Sequence, residues 1–161
     1  VCFGLHFIYN DNGSKYRSGI CFIKKKIQQA MKNILFVCIE NSNRSQMAEA
    51  FAKIYGKGKL NAFSAGSKPS GIVNAKAIES MKMKGYDLLT HKSKSVDVFS
   101  NMEFDYVITM CEDECPFIPS KHREEWSIPD PKDLKMKEIN VVRDLIELKV
   151  KQLITKVENK K

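Results

Sequence analysis

Nowhere in the chain does an apolar run approach the roughly 18 residues needed to cross a bilayer, so no membrane partner is expected. Internal repeats are also missing, and the only biased stretch is the lysine-rich tail, which argues against solenoid and low-complexity architectures. The five cysteines, Cys2, Cys21, Cys38, Cys111 and Cys115, are odd in number, irregular in spacing and without a C-x-x-C pair. A disulfide scaffold is therefore disfavoured, and the thiols suit a reducing, cytoplasmic compartment. What the chain does have is 161 residues, 43% hydrophobic and 29% charged, the balance of one globular domain with a real core. Its formal charge of +8 invites an anionic partner without naming one. Basic residues interleave with acids and no recognition signature appears, so nucleic acid is not the expected partner.

Residues 1 to 30 differ from the rest. They begin without Met, carry Lys15, Arg17, Lys24, Lys25 and Lys26 against the single acid Asp11, and show no sustained period. Their apolar opening precedes the charges, the reverse of a secretory signal. The segment reads as an N-terminal extension holding about half of the net charge, with Met31 as the expected natural start of a domain spanning residues 31 to 161.

From Met31 onward, strand and helix patterns alternate. Ile34 to Cys38 is a continuous apolar run suited to a strand buried on both faces. Ser45 to Tyr55 carries Met47, Phe51 and Ile54 at helical spacing and is stopped by Gly56 and Gly58. Leu60 to Ser64 is a second strand. Asn74 caps a helix through Ala77, Ile78 and Met81, ended by Gly85. Tyr106 to Met110 is the clearest later strand, Glu125 to Ile128 the expected fourth, and an amphipathic helix runs from about Asn140 with Val142, Leu145, Ile146, Val150, Leu153, Ile154 and Val157 on one stripe. Alternation of this kind predicts a three-layer α/β/α domain on a four-stranded parallel sheet, with ligands beyond the carboxyl ends of the strands.

The loop Cys38-Ile39-Glu40-Asn41-Ser42-Asn43-Arg44-Ser45 sits between the first strand and the first helix. Backbone N–H groups at a helix N-terminus form a ready cradle for a tetrahedral oxyanion, and a guanidinium such as Arg44 closes it with a planar, two-pronged donor. The same groups favour a thiolate at Cys38, and Ser45 is placed to donate one more hydrogen bond to it. The expected result is a nucleophile beside a bound oxyanion.

The stretch from Ile34 to Phe51, with Phe-Val-Cys followed by Asn, Ser and Arg-Ser-Gln-Met-Ala-Glu-Ala-Phe, resembles the phosphate-binding loop of low-molecular-weight tyrosine phosphatases, and more closely that of the arsenate reductases built on the same fold. The resemblance extends over Met31 to Lys161, including Ser64-Ala65-Gly66, His91-Lys92-Ser93-Lys94 and Asp130-Pro131. It implies that Cys38 is the nucleophile, that Arg44 and the loop hold the oxyanion, and that Asp130 is the general acid. Phosphatases of the family follow the Asp-Pro pair with aromatic residues; Lys132 and Asp133 stand there instead.

For the reductases the resemblance implies a relay. A second thiol, Cys111, attacks Cys38 and releases arsenite; a third, Cys115, moves the disulfide outward for a thioredoxin-type protein to reduce. Helical i, i+4 spacing brings Cα atoms to about 6 Å, within disulfide range. The acids Glu112, Asp113 and Glu114 between the two cysteines argue against a pair of packed hydrophobes. The implied partners are arsenate, with phosphate or sulfate competing, and a thioredoxin-type reductant; the chain is expected to be a monomer without a cofactor. Some relatives hold potassium through residues matching Asn41, Glu49 and Ser64, but Lys94 replaces an acid there, so no metal is expected. Hydrolysis of phosphomonoesters through a cysteinyl-phosphate is the alternative. A zinc site from Cys38, Cys111 and Cys115 lacks a fourth ligand, since a lone His91 or His122 is usually structural.

Overall fold

The run Ile34 to Cys38 becomes buried strand because it is covered from both sides. In the computed structural model, which describes residues 31–111 and 115–159 and the backbone of residues 8–9 and 15–16, the chain divides into two units, 1–30 and 31–161. The first contains the antiparallel pair β1 (Ile8–Tyr9) and β2 (Lys15–Tyr16). The second is built on β3 (Lys32–Cys38), whose side chains alternate between faces. Ile34, Phe36 and Cys38 enter one core cluster, Leu35 and Val37 another, and all five are buried.

β3 pairs in parallel with β4 (Leu60–Gly66) on one side and β5 (Phe104–Thr109) on the other, and β5 pairs with β6 (Ser120–Glu125). The order β4-β3-β5-β6 reverses direction at β3, and a crevice opens beyond the carboxyl ends of strands at such a switch point. Cys38, the last residue of β3, stands there. The helices α1 (Arg44–Tyr55), α2 (Ala75–Lys82) and α3 (Met136–Asn159) all contribute to the cluster that contains Phe36. The opposite face is covered more thinly, by the 3-10 turn Val96–Phe99 together with Met102, Cys115 and Ile118; there Phe63, Phe99 and Phe104 meet edge to face at 5.6–6.0 Å. The expected α/β/α layering stands, with one outer layer reduced to this turn. Among the described residues, no helix is long and apolar enough to cross a membrane.

Local signals explain most boundaries. Asn74 caps α2 by accepting from the Lys76 amide at 2.9 Å. Gly56 follows α1 because a Cβ there would lie 2.6 Å from the Ala52 carbonyl oxygen. Two expectations need correction. The fourth strand is Ser120–Glu125, not Glu125 to Ile128: it is an edge strand with one neighbour, so its residues are all polar and none is buried. Trp126 and Ile128 are buried just past its end, where Trp126 tilts against Phe36 at 6.0 Å and anchors the loop leading to Asp130. The last helix begins at Met136, four residues before Asn140. The Glu138 carboxylate caps its first turn by accepting from the Lys135 amide at 2.9 Å, a polar start that an apolar stripe does not register.

Candidate active site

Six consecutive carbonyls of the loop are turned outward by hydrogen bonds. Those of Cys38, Ile39 and Ser42 accept from the amides of Ser67, Lys68 and Asn74 at 3.2, 2.9 and 3.0 Å, and that of Asn43 from Met47 at 3.0 Å. Glu40 O accepts from Ser70 N and Ser93 Oγ, and Asn41 O from Gln46 Nε2. A trans peptide sets C=O and N–H in opposite directions, so the amides of residues 39 to 44 face the other way, into the bowl of the loop. Such a nest at the start of α1 attracts a tetrahedral anion. Gly66 makes room for it: a Cβ there would stand 2.6 Å from Ile39 O and 2.9 Å from Asn41 N.

Asn41 is the hub of the loop. Its φ of +49° lies in the left-handed region that asparagine tolerates better than most residues. Its Oδ1 accepts from Lys94 N at 2.9 Å and Gln46 Nε2 at 3.0 Å, while Nδ2 donates to Ser45 Oγ at 2.8 Å and Ser64 Oγ at 2.9 Å. Because Ser45 accepts from Asn41, its own proton is free for Cys38 Sγ, 3.0 Å away. Ser64 in turn donates to Glu49. Burial alone would raise Glu49, but hydrogen bonds from Lys53 and Ser64 and the charge of Lys94 hold its carboxyl below the ordinary range. Lys94 Nζ is 3.7 Å from one Glu49 oxygen and Lys53 Nζ is 2.5 Å from the other, so two ammonium groups serve this carboxylate.

Arg44 is almost wholly buried; its guanidinium donates to Ile128 O at 3.2 Å and to Asp130 Oδ2 at 2.9 Å. This pair brings the Asp130 segment over the loop and encloses a cavity of about 240 Å³ lined by Cys38, Ile39, Glu40, Ser42, Asn43, Arg44, Asp130 and Lys132. Cys38, Arg44, Ser45, Asp130 and the loop residues 39 to 43 thus come together: a buried thiol, a guanidinium beside the loop amides, and a carboxyl group at the rim. A larger groove of about 630 Å³ lies over Phe99, Met102 and Phe104, away from these groups.

Cys111 and Cys115 stand apart from the cavity and are joined by a disulfide, their Cα atoms 5.8 Å apart. Thr109 is the register partner of Val37 and Met110 N donates to Val37 O at 2.8 Å, so Cys111 follows β5 at the same carboxyl edge where Cys38 ends β3. Cys115, however, packs against the cluster on the opposite face from Cys38. Cys38 is a free thiol, and Glu112 to Glu114 lie outside the described residues. Among the described residues, no group of three His, Cys, Asp or Glu is arranged to hold a metal ion.

One layer behind the loop is a chain that sequence reasoning left as a structural histidine. Gln46 spends its Nε2 protons on Asn41 and Lys92, so its Oε1 accepts from His91 Nδ1 at 2.8 Å, and Tyr86 OH then donates to His91 Nε2 at 3.0 Å. Burial lowers His91, aided by Lys53 and Lys94 against the opposing pull of Glu49, which keeps the neutral ring that this pattern needs.

The chain is similar to known proteins in both sequence and fold. Residues 33–161 match the family model described as low molecular weight phosphotyrosine protein phosphatase. An arsenate reductase of Staphylococcus aureus is 40% identical over 126 residues, covering 75% of this chain and 95% of that protein. A solved arsenate reductase in a phosphate-binding state superposes with a TM-score of 0.73 at 34% identity, covering 79% of this chain and 99% of that one. A thioredoxin-dependent arsenate reductase of Corynebacterium glutamicum gives 0.67 at 29%, covering 81% of this chain and 64% of that one. On this footing the chain belongs to the low-molecular-weight phosphotyrosine protein phosphatase family.

Proposed function

We propose that the protein reduces arsenate to arsenite. The observation that carries this reading beyond a phosphatase is the Cys111–Cys115 disulfide following β5, at the same carboxyl edge of the sheet where β3 ends in a free Cys38. Hydrolysis of a phosphomonoester needs Cys38, Arg44 and Asp130 only; a redox-active pair at the same sheet edge answers the need for two electrons.

In the proposed cycle the loop amides and Arg44 hold arsenate, and the Cys38 thiolate, hydrogen-bonded by Ser45, attacks arsenic. One As–O bond breaks, and the departing oxygen takes a proton from Asp130. The Cys111 thiolate then attacks Cys38 Sγ. The S–As electron pair stays on arsenic, As(V) becomes As(III), arsenite leaves and a Cys38–Cys111 disulfide remains. Cys115 attacks Cys111 Sγ, returning Cys38 as a thiolate and leaving the Cys111–Cys115 bridge. An external dithiol of the thioredoxin type then reduces that bridge; the likeness to the thioredoxin-dependent enzyme supports this choice. Phosphate and sulfate share the shape and charge of the substrate and compete for the cradle.

With reduced thioredoxin and its reductase present, arsenate should sustain turnover. Cys115→Ser should release about one arsenite per chain and stall as a Cys38–Cys111 disulfide. Sustained hydrolysis of a phosphomonoester by the double variant Cys111→Ser/Cys115→Ser, without any arsenate reduction by the unmodified protein, would favour the phosphatase reading.

A further inference from the structure

Four charged side chains border the cavity, in two pairs of different character. Arg44 and Asp130 join a buried guanidinium to the acid at the rim. The second pair spans the mouth. Glu40 lies in the loop two residues after Cys38, where a carboxylate on its own would repel any anion approaching the cradle. Lys132 comes from the Asp130–Pro131 segment on the other side, and its Nζ reaches Glu40 Oε1 at 2.5 Å. Ser42 Oγ steadies the other carboxylate oxygen at 3.2 Å.

This bridge is built to open. The Lys132 side chain is 56% exposed and that of Glu40 34%, so solvent competes for both charges and the contact is weak. Lysine carries a compact charge on a flexible four-carbon stem, free to turn from one oxygen to another. Of the eight residues lining the cavity, only Ile39 is aliphatic and none is aromatic. An ester with a bulky aromatic group would have to break the pair and would meet no aromatic side chain to stack on in exchange. A small free oxyanion fits beneath the bridge and offers Lys132 oxygens of higher charge than Glu40 does.

We propose that the Lys132–Glu40 pair is a charge-compensated latch over the oxyanion cavity, closed when the site is empty, whose lysine transfers to the bound anion and so selects a small free oxyanion over a phosphate ester. Lys132 is then a specificity-determining residue, and Glu40 is the counter-charge that holds it over an empty site. The proposal rests on the oxyanion reading above and deepens it.

The test measures anion binding directly, without redox turnover. The full chain, reduced with dithiothreitol, is alkylated with iodoacetamide, and protection of the Cys38 peptide by inorganic phosphate is followed by mass spectrometry. At low ionic strength, Lys132→Ala should weaken phosphate about tenfold, Glu40→Gln should tighten it about threefold, and the double variant should return to within about twofold of the unmodified protein. In about 1 M salt, where screening shortens to about 3 Å, these differences should shrink to about twofold or less. Phenyl phosphate should protect the unmodified protein about tenfold less well than phosphate, and the gap should narrow in the double variant. Phosphate protection by Lys132→Ala equal to that of the unmodified protein, a loss of the same size at both salt concentrations, or an unchanged ester gap would overturn the latch alone. No protection of the unmodified protein by phosphate or arsenate would remove the oxyanion reading itself, and the latch with it.

Discussion

Asn41→Ala is the most informative single change, because it removes one side chain and leaves the reactive groups in place. Asn41 is fully buried and makes four side-chain hydrogen bonds, to Lys94 N, Gln46 Nε2, Ser45 Oγ and Ser64 Oγ. Gln46 keeps its bonds to Asn41 O and Lys92 O, and the two hydroxyls, which accept from Asn41, still donate to Cys38 and Glu49, so the donor left stranded is the Lys94 amide. A buried donor without a partner costs about 2 kcal/mol. Alanine at φ +49° adds about 1 kcal/mol that asparagine largely escapes. The sum, about 3 kcal/mol, is a large part of the roughly 5–15 kcal/mol that holds a domain folded. With a urea dependence of about 2 kcal/mol per molar, the unfolding midpoint of the variant should fall by about 1.5 M. Asn41→Asp retains the acceptor for Lys94 N but loses both donated bonds, and should lie between the two. A midpoint within about 0.3 M of the unmodified protein, at unchanged slope, would refute the view that this side chain holds the loop in shape.

Gly66→Ala places a methyl group 2.6 Å from Ile39 O and 2.9 Å from Asn41 N, so the cradle must shift; phosphate protection of Cys38 should weaken by at least about tenfold while far-UV circular dichroism stays unchanged. Glu147 carries a pH signature. Burial opposes its ionisation, but hydrogen bonds from Lys151, Lys84 and Tyr55 lower its carboxyl from 4.5 to about 2. A depressed carboxylate contributes stability that is complete above its unfolded value and lost as pH falls through the folded one. Urea midpoints of Glu147→Gln should therefore show a constant deficit above about pH 5 that disappears toward pH 2; a deficit independent of pH would contradict the assignment.

What the sequence made legible was local. The apolar run of β3, the stop at Gly56, the Asn74 cap and the adjacency of Cys38 to a helix read from Ser45, one residue after its start, all depend on neighbours along the chain, and periodicity and turn chemistry report them. β6 escaped because an edge strand needs only one buried neighbour and so reads as polar, whereas Trp126 and Ile128 are apolar for the sake of the loop that carries Asp130. The partners of Asn41 lie 23 and 53 residues away at Ser64 and Lys94, and Glu40 meets Lys132 across 92 residues. No window of sequence contains such pairs; they exist only once β3, β4 and the Asp130 segment have been brought to one edge of the sheet. The Cys111–Cys115 spacing was legible as a bridge, but not that Cys115 would pack beneath the face opposite Cys38, which means that reduction of the bridge must precede any approach of Cys111 to the cavity.

The central claim is that electrons from Cys111 and Cys115 reach an oxyanion held at Cys38. Fully reduced protein, freed of reductant and mixed with arsenate, should yield about one arsenite per chain. Alkylation and disulfide mapping by mass spectrometry should then find Cys111 bonded to Cys115 and Cys38 alkylated. Recovery of all three cysteines as alkylated thiols, with arsenate unchanged, would contradict the account.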